Sequence, residues 1–282
     1  MKLPMLALLL LLTVNLAFAQ FGPPSPAQIE AQKKAAALPT PKTADGHPDL
    51  SGFWGSNPMA AAASIFAGGQ VTLDGRVPVV GAESLEQKLN VAGVAARKAN
   101  AAARPTYKPE FVAKANENFE RAAFLDPSYK CMPVGVPRLG PPTEIVQTPK
   151  ATYFLYNNRN VFRVVPTDGR PHDPKADRMS MGDSIGRWDG QTLVVDVTNF
   201  TDDTWLDGDG SFHTENMHVV ERLTRRGNTI EYQFSVEDPA VMAQPFLSRT
   251  QTLMLGEPGA HATEDYPCRE MEQEHLRTTE RH

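Results

Sequence analysis

Histidines and carboxylates gather in two long polar stretches of this 282-residue chain. The first, residues 166–183, contains Asp168-Gly169-Arg170-Pro171-His172-Asp173-Pro174 and ends at Asp183. The second, residues 199–216, carries Asp202, Asp203, Trp205, Asp207, Asp209, His213 and Glu215, with His218 just beyond it. Three of the seven histidines therefore fall in or beside these stretches. Imidazole beside carboxylate suits general acid/base work near neutral pH, because one group carries a proton that the other orients or charges. On that basis His172 and His218 are the expected proton-transfer groups, with Asp183 or His213 orienting them. Trp205 and Trp188 are the expected stacking surfaces for a ring-shaped ligand, and Arg170 is a further substrate-binding residue. Each assignment has a structural alternative: Asp and Gly also cap turns, and tryptophan more often packs a core.

The same stretch invites a metal reading, which its spacing opposes. Two zinc histidines on a helix belong at i and i+4. His213 and His218 stand at i and i+5, and on a regular strand they would point to opposite faces. Asp207-Gly208-Asp209-Gly210, with Glu215 to close it, resembles the start of a calcium loop without the full ligand series. The expectation is no metal and no organic cofactor, with Ca2+ or Zn2+ as the alternative. A nucleophile elbow, a phosphate loop and a dinucleotide fingerprint are all absent from the sequence. Asn199-Phe200-Thr201 fits a glycosylation acceptor.

Strands must position these stretches. From Ala151 onward the hydrophobic period is two, clearest where Ile230, Tyr232, Phe234 and Val236 alternate with Glu231, Gln233, Ser235 and Glu237. Expected strands cover 143–147, 152–156, 160–165, 184–188, 192–198, 217–224, 229–236 and 246–255. Asn157-Asn158, Asp189-Gly190 and Arg226-Gly227-Asn228 read as tight turns, Asp-Gly being the strongest hairpin signal. Between them lie the loops 166–183, 199–216 and 237–245. Turns alternate ends in an antiparallel meander, so the long loops share one end, where a site is expected. This pattern predicts a mainly β fold, an antiparallel up-and-down barrel or strongly curved sheet whose mouth is the usual ligand site. On the strand after His218, Glu221 is expected to pair with Arg163 or Arg159 of a neighbouring strand, because a lone buried charge is costly.

The remaining segments frame that domain. Residues 1–19 read as a signal peptide: Lys2, an apolar run Leu6–Leu12 and Ala17-Phe18-Ala19 as the cleavage site. That places the mature chain in the periplasm or outside the cell. The run is too short for a membrane span, which needs about 20 apolar residues. Net charge −5 and a pI near 5.8 argue against nucleic acid as a partner; a small molecule is expected instead. In an oxidising compartment the only two cysteines, Cys131 and Cys268, are expected to form a disulfide. Residues 20–48 are Pro-rich and read as an extended arm, and 49–282 as a single domain. Helices are expected over 83–103 and after Pro109, where Phe111, Ala115, Phe119 and Ala122 share a face. Residues 56–82 show no clear period.

Several segments together resemble a large family of exported bacterial proteins of unsettled function. They are Pro41-Lys42-Thr43-Ala44-Asp45-Gly46-His47-Pro48-Asp49-Leu50-Ser51-Gly52, Asp126-Pro127-Ser128-Tyr129-Lys130-Cys131, Asp168-Gly169-Arg170-Pro171-His172, Gly186-Arg187-Trp188-Asp189-Gly190-Gln191-Thr192-Leu193-Val194-Val195-Asp196 and His218-Val219-Val220-Glu221-Arg222. The resemblance spans about residues 41 to 270. It implies one exported domain containing both cysteines, and a family pattern that includes His172, Trp188, His218 and Glu221. Residues 56–104 are longer and more Ala-rich than that pattern. Gly52-Phe53-Trp54 is also similar to the Gly-x-Trp that opens lipocalin barrels. The function expected is an exported enzyme acting on a small cyclic molecule, a glycoside or phenolic, by acid/base hydrolysis, elimination or isomerisation. The alternatives are a lipocalin-like protein that binds a small molecule without turning it over, and an envelope protein docking through its Pro-rich arm.

Overall fold

The computed structural model describes residues 26–54 and 104–265. The signal segment, the helix expected over 83–103 and Cys268 lie outside the described residues. Cys131 is not a free thiol. The described chain is mainly antiparallel β. In order it forms helix α1 (Pro26–Ala36), strand β1 (Gly52–Phe53), helices α2 (Val112–Glu120) and α3 (Ala122–Leu125), then β2 (Glu144–Gln147), β3 (Ala151–Leu155), β4 (Phe162–Pro166), β5 (Asp183–Asp189), β6 (Thr192–Thr198), β7 (His218–Arg226), β8 (Thr229–Glu237), β9 (Phe246–Leu247) and β10 (Gln251–Met254).

Two ladders result. A four-stranded sheet runs β1-β2-β3-β4, and a larger one runs β10-β8-β7-β6-β5 with β9 also paired to β8. Neighbours in sequence are neighbours in space, as short hairpin connections require. The two sheets meet at both margins. Gly256 N–H donates to Phe53 O at 2.8 Å just beyond β10, and β4 packs against β5, where a side chain at Gly186 would strike Val165 and Thr167. The ladders nonetheless remain two sheets: the continuous barrel expected from the period-two pattern is not formed as one ladder among the described residues.

Alternation decides what the sheets enclose. Leu193, Val195, Val197, Val219, Leu223, Ile230, Tyr232, Val236 and Leu253 face inward and meet Leu50, Trp54, Ile145, Phe154 and Val165. Burial of this apolar surface, at about 25 cal/mol per Å², is the main force closing the sheets. The intervening residues face outward, as the β8 alternation predicts. Tight turns at Gly190 (φ +60°) and Gly227 (φ +53°) suit glycine. A side chain at Gly227 would also run into the backbone of Ala35 and Leu38.

Two elements differ from expectation. Residues 26–36 form α1 where an extended arm was predicted, because Ala, Gln, Glu and Lys carry high helix propensity and Pro26 tolerates the first turn. The C-terminal end of α1 and the arm after it run across the tight-turn end, where Asn228 N–H donates to Ala35 O and Gly227 N–H to Thr40 Oγ1. The strand expected over 246–255 is broken into β9 and β10. Ser235 pairs Leu247 and Tyr232 pairs Gln251, so one extra residue sits on the edge strand, a β-bulge. Ser248 holds it, accepting from Phe234 N–H through Oγ while donating its own N–H to Phe234 O. The helix after Pro109 forms as a 3-10 turn followed by α2 and α3, and Phe111, Ala115 and Ala122 pack on the core. No helix among the described residues is long and apolar enough to cross a membrane.

Candidate functional site: a histidine–aspartate chain on the outer sheet face

Three adjacent strands each present one polar side chain outward at the long-loop end. Asp183 opens β5, Asp196 lies on β6 and His218 opens β7. In the ladders Asp183 pairs Thr198, Ile185 pairs Asp196 and Asp196 pairs Val220, so all three share a face in diagonal register. The loop after β4 lays His172 over them. Pro171 and Pro174 restrict its backbone on both sides. The loop is tied to its neighbour by Arg178, which donates to Phe200 O at 3.3 Å and Glu215 O at 2.9 Å, and by a parallel bridge between Met179 and Phe200.

A continuous chain of contacts results. His172 Nδ1 lies 2.6 Å from Asp183 Oδ2, and His172 Nε2 lies 2.9 Å from Asp196 Oδ1. The second oxygen of Asp196 meets His218 Nε2 at 3.1 Å. Solvent reaches all four side chains, from 23% exposure at His172 to 37% at His218. Both ring nitrogens of His172 face carboxylates, and only an imidazolium can donate to both. Burial works to lower the His172 pKa, but the hydrogen bonds and charges of Asp183 and Asp196 outweigh it and hold the pKa above the ordinary value of 6.5. For Asp196, burial works upward; the hydrogen bonds and charges of His172 and His218 win and hold the carboxyl below 3.8. His218, tethered through Nε2, takes no hydrogen bond at Nδ1 from the described residues. The chain thus ends in a partly exposed imidazole, 37% open to solvent.

The placement corrects the expected one. Asp183, Asp196 and His218 have the opposite parity to Ser184, Val195, Val197 and Val219, so the cluster stands outside the sheet rather than in a barrel mouth. His213 is not part of it. That ring is buried, with Nε2 2.8 Å from Thr204 Oγ1 and Nδ1 3.1 Å from Thr214 O, and burial pushes its pKa below 6.5. Trp205 is buried rather than covering a ligand, bridged to Phe212. Trp188 stacks on His47 with ring centroids 4.6 Å apart, so the arm occupies one of its faces. Arg170 pairs with exposed Asp168 at 2.6 Å.

The residues considered for a metal are likewise dispersed. Asp207 accepts from Asp209 N–H and from the Ser211 N–H and hydroxyl, Asp209 pairs with Arg104, and Glu215 with Arg178. No group of three or more His, Cys, Asp or Glu among the described residues is arranged to hold a metal ion. Asp196 is the residue that sequence reading passed over. Its signal was a lone carboxylate inside the otherwise apolar run Leu193-Val194-Val195-Asp196-Val197.

On the opposite, enclosed face a second polar group forms. Glu221 Oε2 meets Arg163 Nη2 at 2.5 Å, and Glu221 Oε1 accepts from Tyr232 at 2.8 Å. The pairing of Glu221 with Arg163 agrees with expectation, but across the core between sheets rather than between neighbouring strands. Arg159 instead donates to Ser128 O and, through its backbone, to Asp265. Burial raises the Tyr156 and Tyr232 hydroxyls above their ordinary range.

Comparison with known proteins adds no analogy: no family model, curated protein or solved structure matches this chain.

Proposed function

We propose that the chain is an exported enzyme that moves protons on a small cyclic organic molecule at the outer face of β5–β7. The observation that carries this reading is the chain Asp183–His172–Asp196–His218, which ends at the partly exposed ring of His218, bonded to it through Nε2 alone. His218 serves as the base, its tautomer fixed by Asp196 just as a carboxylate fixes a catalytic imidazole elsewhere. His172, held as imidazolium with both N–H groups committed to carboxylates, offsets the charge of Asp183 and Asp196, and His218 returns the proton it has taken. Asp183 and Asp196 orient the two rings. Glycosides and phenolics are the first substrates to test, since their hydroxyl and ring-adjacent protons suit a histidine base.

The test is untargeted mass spectrometry of a mixed glycoside and phenolic extract incubated with the mature protein, beside His172→Ala/His218→Ala. A compound consumed by the wild type alone supports the reading and names the substrate class. A compound consumed equally by both proteins overturns the assignment of these residues.

Export and a Cys131–Cys268 disulfide belong to the same proposal. Non-reducing peptide mapping of periplasmic material is expected to recover the two cysteines in one linked peptide. Reduction is expected to cost about 2–5 kcal/mol of stability.

A further inference from the structure

We propose that residues 168–177 form a strap over Asp183 and Asp196 that is fastened by the proton on His172 and loosens when that proton is lost. The strap lies on the site proposed above, and its part in regulating that site rests on that reading; the fastening itself does not.

Little else holds this segment down. None of residues 168–177 is buried, and all but His172 and Ala176 are exposed. Their hydrogen bonds to the rest of the described chain are the two made by His172, to Asp183 on β5 and Asp196 on β6, and one of 3.4 Å from Asn199 Nδ2 to Asp173 O. Other bonds stay within the strap, where Arg170 pairs with Asp168 and Asp173 accepts from Lys175 N–H. Firm attachment resumes on either side: Thr167 N–H donates to Lys150 O, and Arg178 donates to Phe200 O and Glu215 O. A segment with so few buried contacts has little local stability of its own. His172 therefore decides whether it stays on the sheet.

One proton separates two arrangements. The imidazolium donates through Nδ1 to Asp183 at 2.6 Å and through Nε2 to Asp196 at 2.9 Å, and both bonds are charge-assisted. A neutral imidazole keeps a single N–H, so its bare nitrogen meets a carboxylate lone pair against lone pair, and one fastening becomes repulsive. The charged groups around the ring do not replace it. His218 of β7 reaches it only through their shared Asp196, and Glu215 of the neighbouring loop is paired with Arg178. Of the strap's own charges, Arg170 and Asp168 pair with each other, and Asp173, Lys175 and Asp177 are exposed. Because the two carboxylates hold the His172 pKa above 6.5, the strap is fastened below 6.5 and loosens as pH rises through the higher folded value. Loosening frees Asp183 and one oxygen of Asp196 beside the His218 base, which opens the proposed site to a substrate.

The experiment measures backbone nitrogen-15 relaxation of the mature protein at successive pH values through the His172 titration, itself followed by the ring nitrogen signals. With His172 charged, the amides of Arg170, Asp173, Lys175 and Ala176 are expected to have order parameters near those of the strands, about 0.85, and to fall below about 0.6 once it is neutral. The fall is expected to share the midpoint of the ring, while β6 and β7 stay rigid. In His172→Ala the strap is expected to be loose at every pH, with rigid β6 and β7 showing that the variant is folded. His218→Ala is expected to keep the transition. Strap amides equally ordered on both sides of the His172 midpoint overturn the proposal, as does a His172→Ala strap as ordered as that of the protonated wild type. No substrate enters this measurement, so failure of the enzyme reading, seen as turnover indifferent to His172 and His218, is distinguished from failure of the strap.

Discussion

Asp196 and Glu221 lie one rung apart on adjoining strands, since Val195 pairs Glu221 and Asp196 pairs Val220, yet they face opposite surroundings. Asp196 is 31% exposed and shared between two histidines, whereas Glu221 is 1% exposed and bound by an arginine and a tyrosine. A one-residue change of parity carries a carboxylate from water to core. Outside, charge is cheap to hold and protons can be exchanged with solvent. Inside, the same group is held by two partners, and its removal strands them. Chemistry belongs to the first setting and architecture to the second.

The widest separation of the two clusters should come from truncating Glu221. Glu221→Ala leaves Arg163 buried without its counter-charge and is expected to cost about 3–5 kcal/mol in urea denaturation. Arg163→Met/Glu221→Met is expected to recover most of that loss. A Glu221→Ala protein as stable as the wild type would erase the contrast. Tyr232→Phe, which removes one hydrogen bond to a buried carboxylate, is expected to cost about 1.5–3 kcal/mol by the same measurement.

Smaller effects belong to the surface chain. His172 has a raised pKa, so its contribution to stability is complete below 6.5 and fades as pH rises through its higher folded value. Asp196 has a lowered pKa, so its contribution is complete above 3.8 and fades as pH falls through its folded value. Both are present together between those limits. His213 acts in the opposite sense to His172, because its depressed pKa makes acidification below 6.5 destabilising. Replacing His172 by Gln should therefore flatten the alkaline side of the stability profile, while His213→Gln flattens the descent just below 6.5; thermal melts across pH would show both. His218→Ala should change stability by no more than about 0.5 kcal/mol, while lowering turnover of any substrate found by about 10²–10⁴-fold.

Much of the framework was legible in the sequence because period-two alternation and glycine turns act locally. The hairpins at Asp189-Gly190 and Arg226-Gly227, and the wet and dry faces of β8, follow from neighbouring residues. The Ser248 bulge does not, since it depends on a hydroxyl meeting a backbone amide on another strand. The site was legible in part. His172, Asp183 and His218 are brought together by Asp196, and parity could have placed them outside the sheet. Trp205 and His213 look solvated among four aspartates and two glycines of one loop, but the bridge of Trp205 to Phe212 and the Tyr107 bond to Phe212 O turn that loop inward. Such folding back is a tertiary event with no local signal.

The claim that His172, Asp196 and His218 form one coupled chain is tested most directly by a nitrogen-15 NMR titration of the histidine rings in wild type and Asp196→Asn. The account predicts that His172 is protonated at both ring nitrogens with a midpoint above 6.5, and that Asp196→Asn lowers that midpoint while also moving the ring nitrogen resonances of His218, which loses its bond to the carboxylate. A His172 midpoint at or below 6.5, unchanged by the substitution, would contradict it.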